Sequence, residues 1–64
     1  MKLWTYVRKN VLIETIDGQQ FTGEVTSYDD EIANNSGEDS IYLDTGIQIY
    51  DINESEIKSI EIID

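Results

Sequence analysis

Apolar and polar residues alternate along most of this 64-residue chain, and a period of two is the pattern of half-buried β-strands. Val11, Ile13 and Thr15 fall on one face of the first run, which shows the pattern clearly. The chain contains no proline and is rich in β-branched residues, which favours strands further. Five strands are predicted, in the runs at residues 11–16, 21–26, 40–44, 47–52 and 57–63.

Turn signals separate these runs. Asp17-Gly18 predicts a tight hairpin turn of type I′, which needs a positive φ at both central residues. The polar stretch at residues 34–37 predicts a loop, and Asp44-Thr45-Gly46 predicts another turn. Gly23 lies inside a strand, where a glycine marks a bend, a bulge or a close backbone approach. A strand bent at Gly23 can serve two sheets at once, as in a small closed barrel.

Helical turns are predicted at two places. In residues 2–9, Leu3, Trp4 and Val7 form a narrow apolar stripe, which predicts a short helix ended by a left-handed Asn10. Such a helix is stable only if it packs on the strands. We therefore expect Trp4 to cover an open end of the barrel, although a ligand-facing tryptophan is the alternative. Residues 53–56 predict one turn of 3₁₀ helix before the last strand.

One spacing resembles a known family. Gly18, Gly23, Val25, Tyr28 and Asp29 are spaced as in the first motif of Sm-like proteins. A shorter second motif would fall at residues 52–57. The resemblance implies one Sm-like domain over residues 1–64, a strongly bent five-stranded antiparallel barrel (residues 10–63) behind a short N-terminal helix. The chain is most similar to the small acidic Sm-like proteins of Gram-positive bacteria and their mobile elements, including phages.

The chain departs from this family where the family binds RNA. The resemblance would place a base-holding asparagine at Ala33, and the nearest asparagine, Asn34, comes one position late. Asn53 and Glu54 stand where the second motif has arginine and glycine. If a nucleic-acid site remains, its candidate residues are Asp29, Asn34 and Asn53. Because an anionic side chain repels phosphates, we expect no RNA binding near physiological salt.

Composition limits the chemistry. Without histidine or cysteine the chain has no ordinary general base near neutrality and no thiol nucleophile, so we expect no enzyme. The acidic residues do not follow the ligand pattern of an EF-hand, and no cofactor or metal is expected. No apolar run is long enough to span a membrane and no signal peptide is recognised, so a cytoplasmic location is expected.

Charge is the most unusual global property. The formal net charge is −10, and all fourteen acidic residues follow residue 10, where Lys58 is the only basic residue. One interpretation is solubility of a small domain. The other is a basic or nucleic-acid-binding protein partner, for which the carboxylates imitate a phosphate backbone. The predicted acidic partner face consists of Asp29, Asp30, Glu31, Glu38 and Asp39.

Self-association is also predicted. A chain of this size buries only about 60% of its unfolded surface, and oligomerisation is a common way to bury more. The last run is apolar on both faces, which a monomer can hardly cover. The predicted subunit contact consists of Tyr50, Ile52, Ile60 and Ile62. The sequence thus predicts a self-associating, non-enzymatic module that binds a protein partner, and the alternative is a reduced Sm-like ring that binds RNA or a nucleotide.

Overall fold

The computed structural model describes residues 2–30, 32 and 37–63. It has five β-strands and two 3₁₀ turns, and the described residues contain no α-helix. The first 3₁₀ turn is Leu3–Tyr6 and the second is Glu54–Glu56, directly before the last strand. The strands are β1 (Asn10–Thr15), β2 (Gln20–Asp29), β3 (Ser40–Asp44), β4 (Ile49–Asn53) and β5 (Ile57–Ile62).

All strand pairs are antiparallel, and the strands form one sheet in the order β4-β3-β2-β1-β5. The prediction of a mainly β chain with five antiparallel strands is confirmed. The sheet is open, however, and not strongly curled, because its outer strands β4 and β5 each pair with only one neighbour. Of the predicted strongly bent barrel, only the number of strands and their antiparallel pairing are therefore confirmed.

Gly23 lies where β2 passes from one partner to the other. Val11 of β1 is opposite Gly23, and the next residue, Glu24, pairs with both Asn10 of β1 and Asp44 of β3. A Cβ atom built on Gly23 would overlap the carbonyl oxygen of Asp44 and lie 2.8 Å from its carbonyl carbon. The glycine is thus required by a close backbone approach.

The core combines residues from all five strands with one from the first 3₁₀ turn. Leu3 is fully buried, whereas Trp4 is 52% exposed. Trp4 was predicted to cover an open end of the barrel, but Leu3 is the residue of this turn that enters the core, while Trp4 keeps half of its surface exposed and contacts the ring of Tyr28. The buried hydrophobic residues are Leu3, Val11, Ile13, Val25, Ile41, Leu43, Ile52 and Ile57.

The predicted helix at residues 2–9 is only a single 3₁₀ turn. Arg8 has a φ of +71°, so the left-handed residue that follows the turn is Arg8 and not Asn10. The Arg8 N–H donates to Val25 O at 2.7 Å, and the Val25 N–H donates to Lys9 O at 3.0 Å. These bonds to β2 prevent the helix from continuing. No helix in the described ranges is long and apolar enough to cross a membrane.

The turn between β1 and β2 also differs from its prediction. The Thr15 N–H donates to Gln19 O at 2.8 Å, which leaves a three-residue loop at residues 16–18. Only Gly18 has a positive φ there, so this is a three-residue hairpin loop with a left-handed glycine and not a type I′ turn. The Thr15 hydroxyl donates to the Asp17 carboxylate and accepts from the Gln19 N–H, which favours the longer loop.

Replacement of Gly23 tests the close approach. We expect Gly23→Val to lower the free energy of unfolding by about 1–3 kcal/mol, because the new side chain collides with backbone atoms of residues 44 and 45. Thr22→Val, on the exposed face of the same strand, should change it by no more than about 0.5 kcal/mol. Thermal and urea unfolding measure both variants. An unchanged melting temperature for Gly23→Val would contradict the assignment.

Candidate interaction surfaces

Tyr28, near the end of β2, is the centre of a group of carboxylates. Its hydroxyl hydrogen-bonds to Asp39, and the carboxylates of Asp39, Asp30 and Glu54 lie close enough to act on it. Partial desolvation of the phenol is the largest cause, and together with these carboxylates it raises the pKa of Tyr28 to about 12. The hydroxyl therefore remains protonated at neutral pH, where it can serve as a hydrogen-bond donor.

Hydrogen bonds hold the surrounding segments together. The Glu54 N–H donates to Asp39 O at 2.9 Å, which places the second 3₁₀ turn against the start of β3. The Ser55 N–H and hydroxyl donate to the Glu38 carboxylate at 2.7 and 3.1 Å. The carboxylates thus stand on a fixed scaffold. We call the described residues Tyr28, Asp30, Glu38, Asp39 and Glu54 the acidic face.

The acidic face agrees only in part with the predicted one. Asp30, Glu38 and Asp39 are brought together, whereas Glu31 lies outside the described residues. Asp29 is half-buried and accepts a hydrogen bond from the Tyr42 hydroxyl at 2.9 Å, so it braces β2 against β3. The sequence prediction missed Glu54, since only the tertiary fold returns the chain to β3. The sequence did contain a signal for Glu54, because a turn was predicted at residues 53–56.

Apolar surface borders the acidic face. The ring of Trp4 meets the edge of Tyr28 with the ring centroids 6.0 Å apart and the planes at 67°. About half of Trp4 remains exposed, and Ile32 is almost wholly exposed. An aromatic face beside carboxylates attracts cationic side chains more strongly than carboxylates alone, because cations also bind to π-systems.

The candidate nucleic-acid residues have other roles where they are described. Asp29 and Asn53 both pair with Ser40, from opposite sides, which places them at the same end of the sheet. Asp29 is occupied by Tyr42, and the Asn53 N–H donates to the Glu56 carboxylate at 3.1 Å. Asn34 lies outside the described residues, as does Ala33. Among the described positions, the Asp29 carboxylate therefore presents a negative charge to any approaching phosphate.

The outer edge of β4 carries backbone groups directed away from the sheet. The bonds from the Thr45 N–H to Gln48 O and from the Glu54 N–H to Asp39 O lie at the two ends of the β3–β4 ladder. Since bonded and non-bonded pairs alternate in an antiparallel ladder, Ile49 and Asp51 point their N–H and C=O groups outward. Ile49 is 61% exposed, so the edge is also apolar.

The outer edge of β5 has the same character. The Ile63 N–H donates to Asn10 O at 2.9 Å, and by the same alternation Ile60 and Ile62 direct their backbone groups away from β1. Ile62 is 47% exposed. Each edge therefore offers two residues whose backbone groups have no partner within the described sheet. We call β4 and β5 the open edges.

The four residues predicted to form the subunit contact have different environments. Ile52 is 5% exposed and belongs to the core of its own chain. Tyr50 is half-buried against Phe21, with ring centroids 4.8 Å apart, and Ile60 packs partly on the core. Among the four, only Ile62 is largely exposed. The sequence analysis missed Ile49, an exposed side chain on the open edge of β4. It lies two residues after the exposed Ile47 of the β3–β4 turn.

The groups on these surfaces are suited to binding. Within the described ranges, no group of three or more acidic residues is arranged to hold a metal ion. The carboxylates are fixed but solvent-accessible, and Tyr28 supplies a protonated hydroxyl among them. Such an array can accept hydrogen bonds from lysine and arginine side chains.

Comparisons with protein-family models, with curated proteins and with solved structures find no match.

The ionisation of Tyr28 tests the geometry of the acidic face. Because its pKa is raised from 10.0 to about 12 on folding, the folded state holds the proton more tightly. This contribution to stability is complete below about pH 10 and is lost as pH rises from about 10 to about 12. We expect Tyr28→Phe to remove this component, and Tyr6→Phe to leave it unchanged. Tyrosinate absorbance and urea unfolding at alkaline pH measure both, and an identical alkaline profile for wild type and Tyr28→Phe would contradict the assignment.

Proposed function

We propose that this protein is a non-enzymatic acidic binding module that associates with itself and engages a basic protein partner. The observation that carries the proposal is that hydrogen bonds from the Glu54 N–H to Asp39 O and from Ser55 to the Glu38 carboxylate bring two acidic segments together beside Tyr28. Like charges are brought together there on a hydrogen-bonded scaffold. Such an arrangement is favourable when a cationic partner neutralises it.

The class of partner follows from the sign of these charges and from the hydrogen bonds that hold them in place. Carboxylates on a rigid surface imitate the phosphates of a nucleic acid, and a protein that binds nucleic acid presents matching lysine and arginine side chains. The exposed part of Trp4 adds an aromatic contact at the border of the acidic face. A nucleic-acid-binding protein of a host cell is one partner of this kind.

Partner capture tests the acidic face. We expect wild-type protein to retain a basic partner from a nuclease-treated cell lysate, and the double variant Asp30→Asn/Asp39→Asn to lose most of it. The double variant Glu24→Gln/Glu61→Gln has the same net charge but leaves the acidic face intact, so it should retain the partner. Mass spectrometry of the bound fraction measures all three.

The outcomes separate the two functions considered from the sequence. Equal capture by both double variants would show that net charge alone is recognised and would overturn the proposal. Capture of RNA that disappears after nuclease treatment would favour the alternative, a reduced Sm-like ring. The contact of the Asp29 carboxylate with the Tyr42 hydroxyl supports the protein partner, because this candidate nucleic-acid group is already engaged within the chain.

We also propose that the chain is a divergent Sm-like domain in which a barrel is completed only between copies. The support consists of the strand order, the 3₁₀ turn before β5 and the close approach at Gly23. The open edges of β4 and β5 are similar in length, with five and six residues, and each has two residues with outward backbone groups. Pairing β4 of one copy with β5 of the next would satisfy both edges and cover Ile49 and Ile62.

A proline at position 62 tests this pairing. The Ile62 N–H points away from β1, so Ile62→Pro removes an outward donor and leaves the β1–β5 ladder intact. We expect the wild-type protein to form an oligomer that strengthens from low to moderate salt, since salt screens repulsion between chains of charge −10. Ile62→Pro should yield a monomer of 7.3 kDa, whereas Ile62→Ala should assemble with reduced stability.

Light scattering at two salt concentrations measures the mass of each variant, and circular dichroism checks that the fold is kept. Assembly of Ile62→Pro equal to that of wild type would exclude β5 from the contact. A wild-type monomer at both salt concentrations and at high protein concentration would exclude self-association and leave the acidic face as the only proposed binding surface.

A further inference from the structure

A groove of about 400 Å³ lies between the β1–β2 turn and β4, away from the acidic face. Phe21 of β2 and Tyr50 of β4 form one wall, with their ring planes inclined at 48°, and the buried Ile52 lies beneath them. Ile16, in the turn, is 69% exposed and borders the opening. The groove is therefore apolar and partly aromatic, and open to solvent on one side.

Three carboxylate residues also line the groove, Asp17, Asp51 and Glu56, and hydrogen bonds hold two of them. Asp17 accepts the Thr15 hydroxyl and Glu56 accepts the Asn53 N–H, so each carboxylate is held by a local hydrogen bond. The Thr15 hydroxyl lowers the pKa of Asp17 below its ordinary value of 3.8, and this group remains ionised at neutral pH. None of the four basic residues of the chain, all of which the structure describes, lines the groove.

We propose that this groove binds an arginine side chain from an extended, basic segment of a partner protein. The aromatic wall and the hydrogen-bonded carboxylates of Asp17 and Glu56 together provide what a guanidinium group requires, a π-face to stack on and acceptors for its N–H groups. The apolar floor and Ile16 contact the methylene stem and an apolar neighbour in the segment. Charge complementarity selects a cation, because the only ionised groups at the site are negative.

The inference rests on the proposed function in one respect, that the partner is a basic protein, but it uses a different surface. A lysine would satisfy the charge with a compact, strongly hydrated ammonium group, which stacks less well on aromatic rings than the planar guanidinium. The groove therefore distinguishes arginine from lysine, whereas the acidic face attracts both.

Peptide titration tests the proposal on the full chain. The probe is a capped pentapeptide, acetyl-Gly-Val-Arg-Val-Gly-amide, together with its lysine and citrulline counterparts. Citrulline keeps the shape of arginine but lacks the charge. Backbone amide shifts from two-dimensional NMR report both the affinity and the site. We expect saturable shifts at Ile16, Phe21 and Glu56, and about tenfold weaker binding of the citrulline peptide, as for the loss of one charge-assisted hydrogen bond.

Matched variants separate this site from general attraction to an acidic protein. Glu56→Gln and Asp17→Asn each remove one charge and keep an acceptor for the local hydrogen bond, and either should weaken the arginine peptide about threefold to tenfold. Glu61→Gln removes the same charge from the exposed face of β5, outside the groove, and should change the affinity less than twofold. The spectra also verify that each variant is folded.

Equal affinity for the arginine and citrulline peptides would overturn the proposal. So would equal weakening by Glu61→Gln and Glu56→Gln, which would show non-specific attraction. Shifts confined to Tyr28 and Asp39 would overturn the groove site but leave the proposed function standing. Loss of partner capture by the Asp30→Asn/Asp39→Asn variant, with the groove still binding the peptide, would assign the two surfaces separate roles.

Discussion

The close approach between Gly23 of β2 and the backbone at Asp44 and Thr45 is the constraint on which the rest of the structure depends. β2 is the longest strand and pairs with β1 over its first half and with β3 over its second half. Both pairings meet at Glu24, and a side chain on the preceding residue would force the β3 end away. Without this contact β3 could not pair with β2 and carry β4 with it, and neither the groove nor the acidic face would form.

The same arrangement leaves the two outer strands open. β4 and β5 lie at opposite ends of the strand order, and each has outward backbone groups and an exposed isoleucine. The acidic face lies where the end of β2, the start of β3 and the second 3₁₀ turn meet around Tyr28. Apolar edges and an acidic face are thus separate surfaces, so assembly along the edges would leave the acidic face accessible. The self-association and the partner binding proposed above would therefore use different surfaces of one small chain.

Much of the candidate site could be inferred from local sequence. Asp30, Glu38 and Asp39 flank a polar loop, so their exposure follows from composition, and the 3₁₀ turn before β5 was expected. Glu54 and Tyr28 could not be joined to them in advance, because their proximity depends on the pairing of β3 with both β2 and β4. Asp29 is the opposite case. Its charge favoured a role at the surface, whereas the fold directs its carboxylate to the Tyr42 hydroxyl.

The sequence by itself determined the number of strands, their alternation and the need for a glycine at position 23, because these depend on side-chain period and on backbone space. It also determined the excess of negative charge. Tertiary structure decided which residues of those strands face the core: Leu3 is buried in place of Trp4, and Ile52 lies inside although it was expected at a subunit contact. It also decided that the sheet remains open, because β5, which follows β4 after one 3₁₀ turn, pairs with β1 and not with β4, and the alternation of side chains along a strand does not specify its partner.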